Sequence, residues 1–203
     1  MNVNYNNDDV QPWGVGDGTP HTRPYCIKSL CDCQNNEAGD SMAVHELAGT
    51  KVRKEDYIDL KAIAAAYHTT HPDVADPHQQ VRFGTSGHRG QAGNGSFTQD
   101  HVAAITQAVC NFRKQFGAEG PLFVGEDTHY LSKLAYETVL SVLAANGVTA
   151  YVDSVGDFVP TPSVSRAILR YNSHRGERLA DGLIITPSHN PPEHGGIKYN
   201  TIT

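Results

Sequence analysis

The chain has 203 residues, of which 38% are hydrophobic, 8% aromatic and 19% charged. That length fits one domain or at most two, and a chain of this size buries roughly 70% of its unfolded surface. The formal net charge of −6, from 16 basic and 22 acidic side chains, argues against a broad basic face for nucleic acid. Its apolar runs are far shorter than the ~20 residues that a membrane span needs, so we expect no membrane insertion.

Four cysteines are too few for a disulfide scaffold of this length, and three of them are crowded at Cys26, Cys31 and Cys33. Their spacing fits no paired C-x2-C zinc knuckle, so reduced thiols are favoured over a zinc cluster completed by His21 or His45. The first residues also lack the basic start and apolar stretch of a secretory signal. We therefore expect a cytoplasmic protein.

Residues 1–41 differ in composition from the rest of the chain. They are rich in Asn, Asp, Gly and Pro and show no hydrophobic period, which predicts a disordered leader. A more regular segment begins at Met42, a candidate biological start. We accordingly predict a leader over 1–41 and a folded domain over 42–203.

Beyond Met42, hydrophobic patterning predicts four helices and four short strands. Thr98 is predicted to cap the second helix and Gly117 to end it. The predicted helices run from Asp56 to before His71, from Thr98 to Phe116, from Leu131 to Ala145 and from Thr161 through Tyr171; the predicted strands cover 81–83, 121–125, 148–152 and 182–186.

Apolar strands that alternate with amphipathic helices predict an α/β fold. The expected architecture is a three-layer α/β/α domain whose mainly parallel or mixed sheet is covered on both faces. Ligands of such sheets gather at the carboxyl ends of the strands. Two polar loops are expected there, Gly84–Gly90 and Pro187–Asn200, and these are the candidate site.

The second loop presents a serine in a rigid setting. Ser188 follows Pro187 and is soon followed by Pro191 and Pro192, and each proline restrains the backbone around it. Lys198 returns a cation after a predicted Gly-Gly turn. No G-x-S-x-G elbow is present, so phosphoryl chemistry is favoured over acyl transfer. The alternative is a polar turn with a solvated serine.

Several motifs in order resemble the bacterial phosphoglucomutases of the α-D-phosphohexomutase superfamily, from about Met42 to Asn200. In the first polar loop, the sequence Thr-Ser-Gly-His-Arg-Gly is the version typical of relatives acting on glucose phosphates. Relatives acting on mannose or glucosamine phosphates usually carry Asp-Ile-Arg-Gly there. The resemblance implies the first domain of a four-domain enzyme. The motifs are Phe83–Gly90, Gly125–His129, Phe158–Pro162, Thr186–Pro192 and Gly195–Asn200.

The resemblance also implies an activity, the interconversion of glucose 1-phosphate and glucose 6-phosphate through glucose 1,6-bisphosphate. Ser188 matches the family's phosphoserine, whose phosphoryl oxygen is a ligand of Mg²⁺. Lys198 matches a lysine beside the reacting phosphate, and His189 is assigned a supporting role as a hydrogen-bond donor. The expected substrate contacts are Arg89, Thr85, Ser86 and Asn190.

Other family features are missing from this sequence. Domains II–IV are absent, and so is the Asp-x-Asp-x-Asp loop by which the second domain holds magnesium. Residues 42–203 are therefore predicted to be a C-terminally truncated domain I, inactive in isolation. The alternatives are a non-catalytic truncated fragment, a phosphosugar-binding module, or a phosphomannomutase-like relative.

Structural or solvent-exposed positions, rather than catalytic roles, are expected for several polar residues of these motifs. Asp127 and His129 are expected to fix a loop at a strand end, and His88 to be structural. We expect Glu193 and His194 to form a solvated turn. The remaining histidines, His101 among them, are expected at the surface.

Overall fold

The computed structural model describes residues 47–174 and 178–202. The chain divides into two compact units, Met1–Lys51 and Val52–Thr203. In the first unit the described residues form an exposed turn in which the backbone N–H and hydroxyl of Thr50 both donate to the Leu47 carbonyl. The predicted leader, the predicted start at Met42 and the three crowded cysteines lie outside the described residues.

The second unit is built on a five-stranded sheet, one strand more than predicted, and its mixed character is as predicted. Its strand order is β1-β5-β4-β2-β3. Strands β2, β3 and β4 are parallel, whereas β5 runs antiparallel to both of its neighbours. The strands are β1 His88–Gln91, β2 Leu122–Glu126, β3 Ala150–Tyr151, β4 Asp181–Ile185 and β5 His194–Asn200.

In the described part of the chain, the four α-helices are α1 Leu60–Thr69, α2 Gln99–Phe116, α3 Tyr130–Ala145 and α4 Thr161–Asn172. The predicted ends of α2 are confirmed, with Thr98 at the N-cap and Gly117 in the left-handed conformation at φ 69°. The predicted start of α1 at Asp56 is wrong. The Asp59 carboxylate accepts the N–H groups of Lys61 and Ala62 and caps the helix there.

Helices cover both faces of the sheet, which confirms the three-layer architecture. Helices α1, α2 and α3 enclose the main core, where Val102, Leu131 and Leu183 are buried among other apolar side chains. Helix α4 packs on the opposite face through a smaller cluster of Val164, Ile168 and Ile184. Among the helices of the described residues, none has the length and apolarity needed to cross a membrane.

The strand predicted over 81–83 is wrong, and the strand at this place is β1. Val81 and Phe83 are 43% and 51% exposed, and only Gly84 behind them forms a bridge, with Gly87. Residues His88–Gln91 pair instead with β5. The sequence of β1 is polar and shows no hydrophobic pattern from which a strand could be predicted. As an edge strand, it is stabilised by backbone pairing with β5.

Strand β5 lies in a segment that the sequence predicts to be a loop, and that prediction is wrong. A Cβ atom on Gly195 would lie 2.3 Å from the Phe97 ring, and one on Gly196 would lie 2.4 Å from the carbonyl oxygen of Thr186. The two glycines are therefore needed for close packing within a strand. Their presence suggested a turn because sequence alone does not distinguish the two requirements.

The histidines around β1 are more buried than expected. His101 is 2% exposed, and its Nδ1 lies 3.2 Å from the Thr98 backbone nitrogen in the cap of α2. His88 is also buried, and its Nε2 lies 2.8 Å from the Ser96 carbonyl oxygen. The prediction that His101 lies at the surface is wrong, and His88 has the structural contacts expected of it.

Candidate active site

Ser188 occupies the turn between β4 and β5, at the carboxyl end of β4. Its side chain is exposed, and its backbone N–H donates to Thr186 Oγ1 at 2.8 Å. Its φ is 70°, a left-handed conformation that costs a non-glycine residue about 1–3 kcal/mol. The turn therefore presents the serine hydroxyl in an unusual and specifically held conformation.

Lys198 lies on β5 beside the first polar loop. It pairs across the sheet with Ile184, and a Cβ atom on Gly87 would lie 2.8 Å from its Cγ. Gly87 has a φ of 84°, so only a glycine allows the first loop to pass this close to the lysine. The antiparallel pairing of β1 with β5 thus brings the two predicted loops together.

The electrostatics around Lys198 reflect three neighbouring charges. Burial and the nearby Arg89 guanidinium both lower the pKa of Lys198, whereas the Asp127 carboxylate opposes that shift. Arg89 is exposed on β1 and pairs with Gly196 on β5. Two cations and one carboxylate therefore interact beside the end of β4, an arrangement suited to binding a doubly charged anion.

The remaining predicted site residues lie on the two turns. Thr85, Ser86 and His189 are all exposed, Thr85 and Ser86 within the turn closed by the Gly84–Gly87 bridge. Asn190 is half-buried, and its side-chain amide nitrogen donates to Nδ1 of His194 at 3.1 Å. Asn190 thus links β5 to residues 186–190, which we call the serine turn.

Asp127 follows β2 and collects several hydrogen bonds. Although burial alone raises the pKa of this carboxyl, donors from Ser132, Thr186 and His129 hold it below its ordinary value. The Ser132 hydroxyl donates at 2.7 Å and the His129 backbone N–H at 3.0 Å. Asp127 is therefore an ionised acceptor that joins the β2–α3 loop to Thr186.

Two residues of the site were not predicted from the sequence. Thr186 accepts the Ser188 N–H, and a threonine two positions before a serine is a recognisable signal for such a turn. His194, expected in a solvated turn, instead lies on β5 beside Asn190 and Gln91. The position of His194 beside these two residues depends on β5, a strand that the sequence did not predict.

The described residues do not form a metal site by themselves. Among them, no group of three or more His, Cys, Asp or Glu side chains is placed to hold a metal ion. Ser188 is exposed, and the family resemblance implies that a phosphoryl oxygen on it is this chain's metal ligand.

Comparisons with known proteins point to one family. The chain matches the family model described as "Phosphoglucomutase/phosphomannomutase, alpha/beta/alpha domain I" over residues 80–202. It is 48% identical to a phosphoglucomutase of Komagataeibacter xylinus over 158 residues, covering 78% of this chain and 28% of that protein. It is 34% identical over 129 residues to a cytoplasmic phosphoglucomutase of Bromus inermis, covering 61% of this chain and 22% of that protein.

A solved structure agrees with these sequence matches. Parafusin from Paramecium, an exocytosis-sensitive phosphoprotein described as a phosphoglucomutase, superposes with a TM-score of 0.53 at 27% identity, covering 66% of this chain and 23% of its own. The chain thus spans about a quarter of the length of these relatives. It belongs to the phosphoglucomutase/phosphomannomutase family, of which it carries the α/β/α domain I.

Proposed function

We propose that this chain is the serine-bearing domain of a phosphoglucomutase, which interconverts glucose 1-phosphate and glucose 6-phosphate. The observation that carries this proposal is the exposed Ser188, held at a positive φ in the turn before β5, the strand whose Lys198 interacts with Arg89. Membership of the family and the 48% identity to a named phosphoglucomutase support it.

In the proposed reaction, phosphorylated Ser188 transfers its phosphoryl group to a hydroxyl of the sugar phosphate. The bond from phosphorus to Ser188 Oγ breaks as the bond to the sugar oxygen forms, and the proton that the sugar hydroxyl loses is balanced by the proton that Ser188 Oγ gains. Glucose 1,6-bisphosphate results, and its other phosphoryl group then returns to Ser188. Two phosphate dianions repel strongly unless cations intervene, and Lys198 and Arg89 would supply that charge.

The exposed polar side chains have supporting roles in this proposal. His189 would donate a hydrogen bond to the phosphoryl group. Thr85 and Ser86 would contact the sugar phosphate from the turn beside Lys198, and Asn190 would contribute from the serine turn.

The proposed enzyme also needs parts that the described residues do not provide. Mg²⁺, when bound, neutralises charge on a phosphoryl group, and this chain's ligand would be the phosphoryl oxygen on Ser188. Domains II–IV would supply the remaining ligands and the sugar contacts. We infer a cytoplasmic location, in line with the relative from Bromus inermis that is named cytoplasmic.

A chimeric enzyme tests the proposal. The matching segment of the Komagataeibacter phosphoglucomutase is replaced by this chain, and formation of glucose 6-phosphate is followed in a coupled assay with Mg²⁺ and a trace of bisphosphate. We expect turnover that Ser188→Ala abolishes. The matched control is Ser141→Ala on the exposed face of α3, where the hydroxyl only donates to the Glu137 carbonyl. Full activity of the Ser188→Ala chimera would disprove the proposal.

A second measurement uses the chain alone and tests the proposal even when the chimera does not fold. The chain alone is incubated with glucose 1,6-bisphosphate, and phosphorylation is located by peptide mass spectrometry. We expect the phosphoryl group on Ser188 and no net turnover by the isolated chain. Faster reaction of the chimera with mannose 1-phosphate than with glucose 1-phosphate would favour the phosphomannomutase alternative.

A further inference from the structure

The turn that carries Ser188 is held on both sides by one short segment, the loop 127–129 between β2 and α3. On the N-terminal side, the Asp127 carboxylate accepts the Thr186 hydroxyl, whose oxygen accepts the Ser188 N–H at 2.8 Å. On the C-terminal side, Nε2 of His129 lies 3.1 Å from the carbonyl oxygen of Asn190. Ser188 therefore lies midway between two anchors, each two residues away.

The hydrogen bonds of His129 determine its protonation. Its Nδ1 lies 2.8 Å from Asp127 Oδ2, and its Nε2 faces the Asn190 carbonyl. A carboxylate and a carbonyl accept hydrogen bonds and do not donate them, whereas a neutral imidazole donates from one nitrogen only. Both contacts can therefore be hydrogen bonds only when His129 is the imidazolium ion.

The neighbouring Asp127 carboxylate is the charge that favours the ion. The side chains of His129 and Asp127 are 15% and 22% exposed, and their contact becomes an ion pair when the ring is protonated. Asp127 is an ionised acceptor for Ser132 as well, and Lys198 interacts with the same carboxylate. The carboxylate thus interacts with both the His129 ring and Lys198.

We propose that His129 is a positioning residue for Ser188, acting as an imidazolium ion that binds the Asn190 carbonyl and Asp127 together. The positive φ of Ser188 is strained, and strained backbone persists only where the surroundings impose it. The anchor at Thr186 fixes one side of the turn, and the His129 bond fixes the other. Without that bond the turn can relax and the serine hydroxyl loses its defined direction.

The inference rests on the proposed function only for its kinetic consequence. If Ser188 is phosphorylated, it gains about −1.5 to −2 charges near neutral pH. His129 then adds a positive charge to those of Lys198 and Arg89 around the same turn. Its structural part, the protonated ring and the held turn, can be tested without catalysis.

The first experiment measures the ring directly in the full chain labelled with ¹⁵N-histidine. At neutral pH we expect both ring nitrogens of His129 to carry protons, and the Ser188 amide to exchange slowly with solvent. In His129→Gln we expect amide exchange at Ser188 to accelerate at least about tenfold. His174→Gln, an exposed histidine after α4, is the matched control. A neutral His129 ring would overturn the proposal.

The second experiment uses kinetics of the chimera, with each variant normalised to its folded fraction. We expect His129→Gln to lower kcat about 10- to 100-fold with little change in KM, since misplacing a reacting group by about 1 Å has an effect of that size. His129→Arg should restore most of the rate, because a guanidinium donates to a carboxylate and a carbonyl together. An unchanged kcat in His129→Gln would contradict the inference.

The two experiments separate failure of this inference from failure of the proposed function. If Ser188→Ala retains activity, the proposed function fails, while the ring protonation measured by NMR still decides the structural role of His129. If Ser188→Ala is inactive but His129→Gln is fully active, only the positioning role is excluded.

Discussion

Among the described residues, Ser188 is the one non-glycine residue with a positive φ. The sequence indicated a rigid turn, because prolines at 187, 191 and 192 surround the serine. The backbone on either side of it is hydrogen-bonded to partners far away in the chain, through Thr186 to Asp127 and through Asn190 to His129. The motif therefore predicted the residue that we propose to react, while long-range hydrogen bonds hold the backbone on either side of it.

Glu126, at the end of β2, has a buried carboxyl oxygen that destabilises the folded state, and the sequence does not reveal this cost. Within the described part of the chain, its Oε2 is buried with no hydrogen-bond partner. Burial raises the pKa of this carboxyl, and Lys133 only partly opposes the shift. A folded-state pKa above the ordinary value of 4.5 means that the penalty is absent at acid pH and grows as pH rises through the folded-state pKa.

We predict that Glu126→Gln raises the free energy of unfolding at neutral pH, by up to about 1 kcal/mol, because it removes a buried charge without a partner. The gain should vanish when the native carboxyl is protonated. Chemical denaturation across a pH series measures both effects. Glu119→Gln, an exposed glutamate, is the control and should be nearly neutral. A gain that is largest at acid pH would refute this account.

At the scale of elements, the ends of α2 were predicted well, whereas the start of α1 and the edge strands were not. Thr98 and Gly117 delimit α2 as expected, because capping acts within a few residues. The ends of β1 and β5 depend on pairing between residues about 105 positions apart, such as Arg89 with Gly196. Strand β3, predicted over 148–152, is likewise shortened to Ala150–Tyr151 at the edge of the sheet.

Gly196 of β5 lies against the backbone of Thr186 and Pro187, just before Ser188. We expect Gly196→Ala to lower the free energy of unfolding by about 1–3 kcal/mol, because the added Cβ overlaps the Thr186 carbonyl. The same change displaces the residue that accepts the Ser188 N–H, so phosphorylation of Ser188 should also slow. Denaturant unfolding and the phosphorylation assay measure the two effects.

Gly93→Ala is the matched control for that variant. A Cβ atom at Gly93 would meet no atom within 4 Å, so the substitution should be neutral or slightly stabilising. Equal stability of the two alanine variants would show that β5 does not pack against β4 as described.

At the scale of the whole molecule, the second unit exposes an apolar groove of about 490 Å³ between α2, β5 and the segment before β1. The site does not use this groove. Phe112 contacts Tyr199 edge-to-face in its wall, and Phe83 at its rim is 51% exposed. Contiguous apolar surface of this kind promotes association between molecules.

We predict that Phe83→Ser raises the solubility of the chain without lowering its melting temperature, because the ring is half exposed and lies outside the buried core. Static light scattering against concentration, together with thermal unfolding, measures both properties. Val74→Ser is the control, since Val74 is 80% exposed and lies outside the groove. If both variants raise solubility equally, general surface hydrophobicity rather than the groove is responsible.

The sequence by itself determined the α/β class, the helices with clear caps, the family resemblance and the identity of the candidate nucleophile. These features are local, since they depend on periodicity, capping residues and short motifs. Tertiary structure alone decided the antiparallel pairing that brings Arg89 beside Lys198, the positive φ of Ser188 and the link from His129 to Asn190. Each of these depends on contacts between distant residues, whose geometry exists only after the sheet has formed.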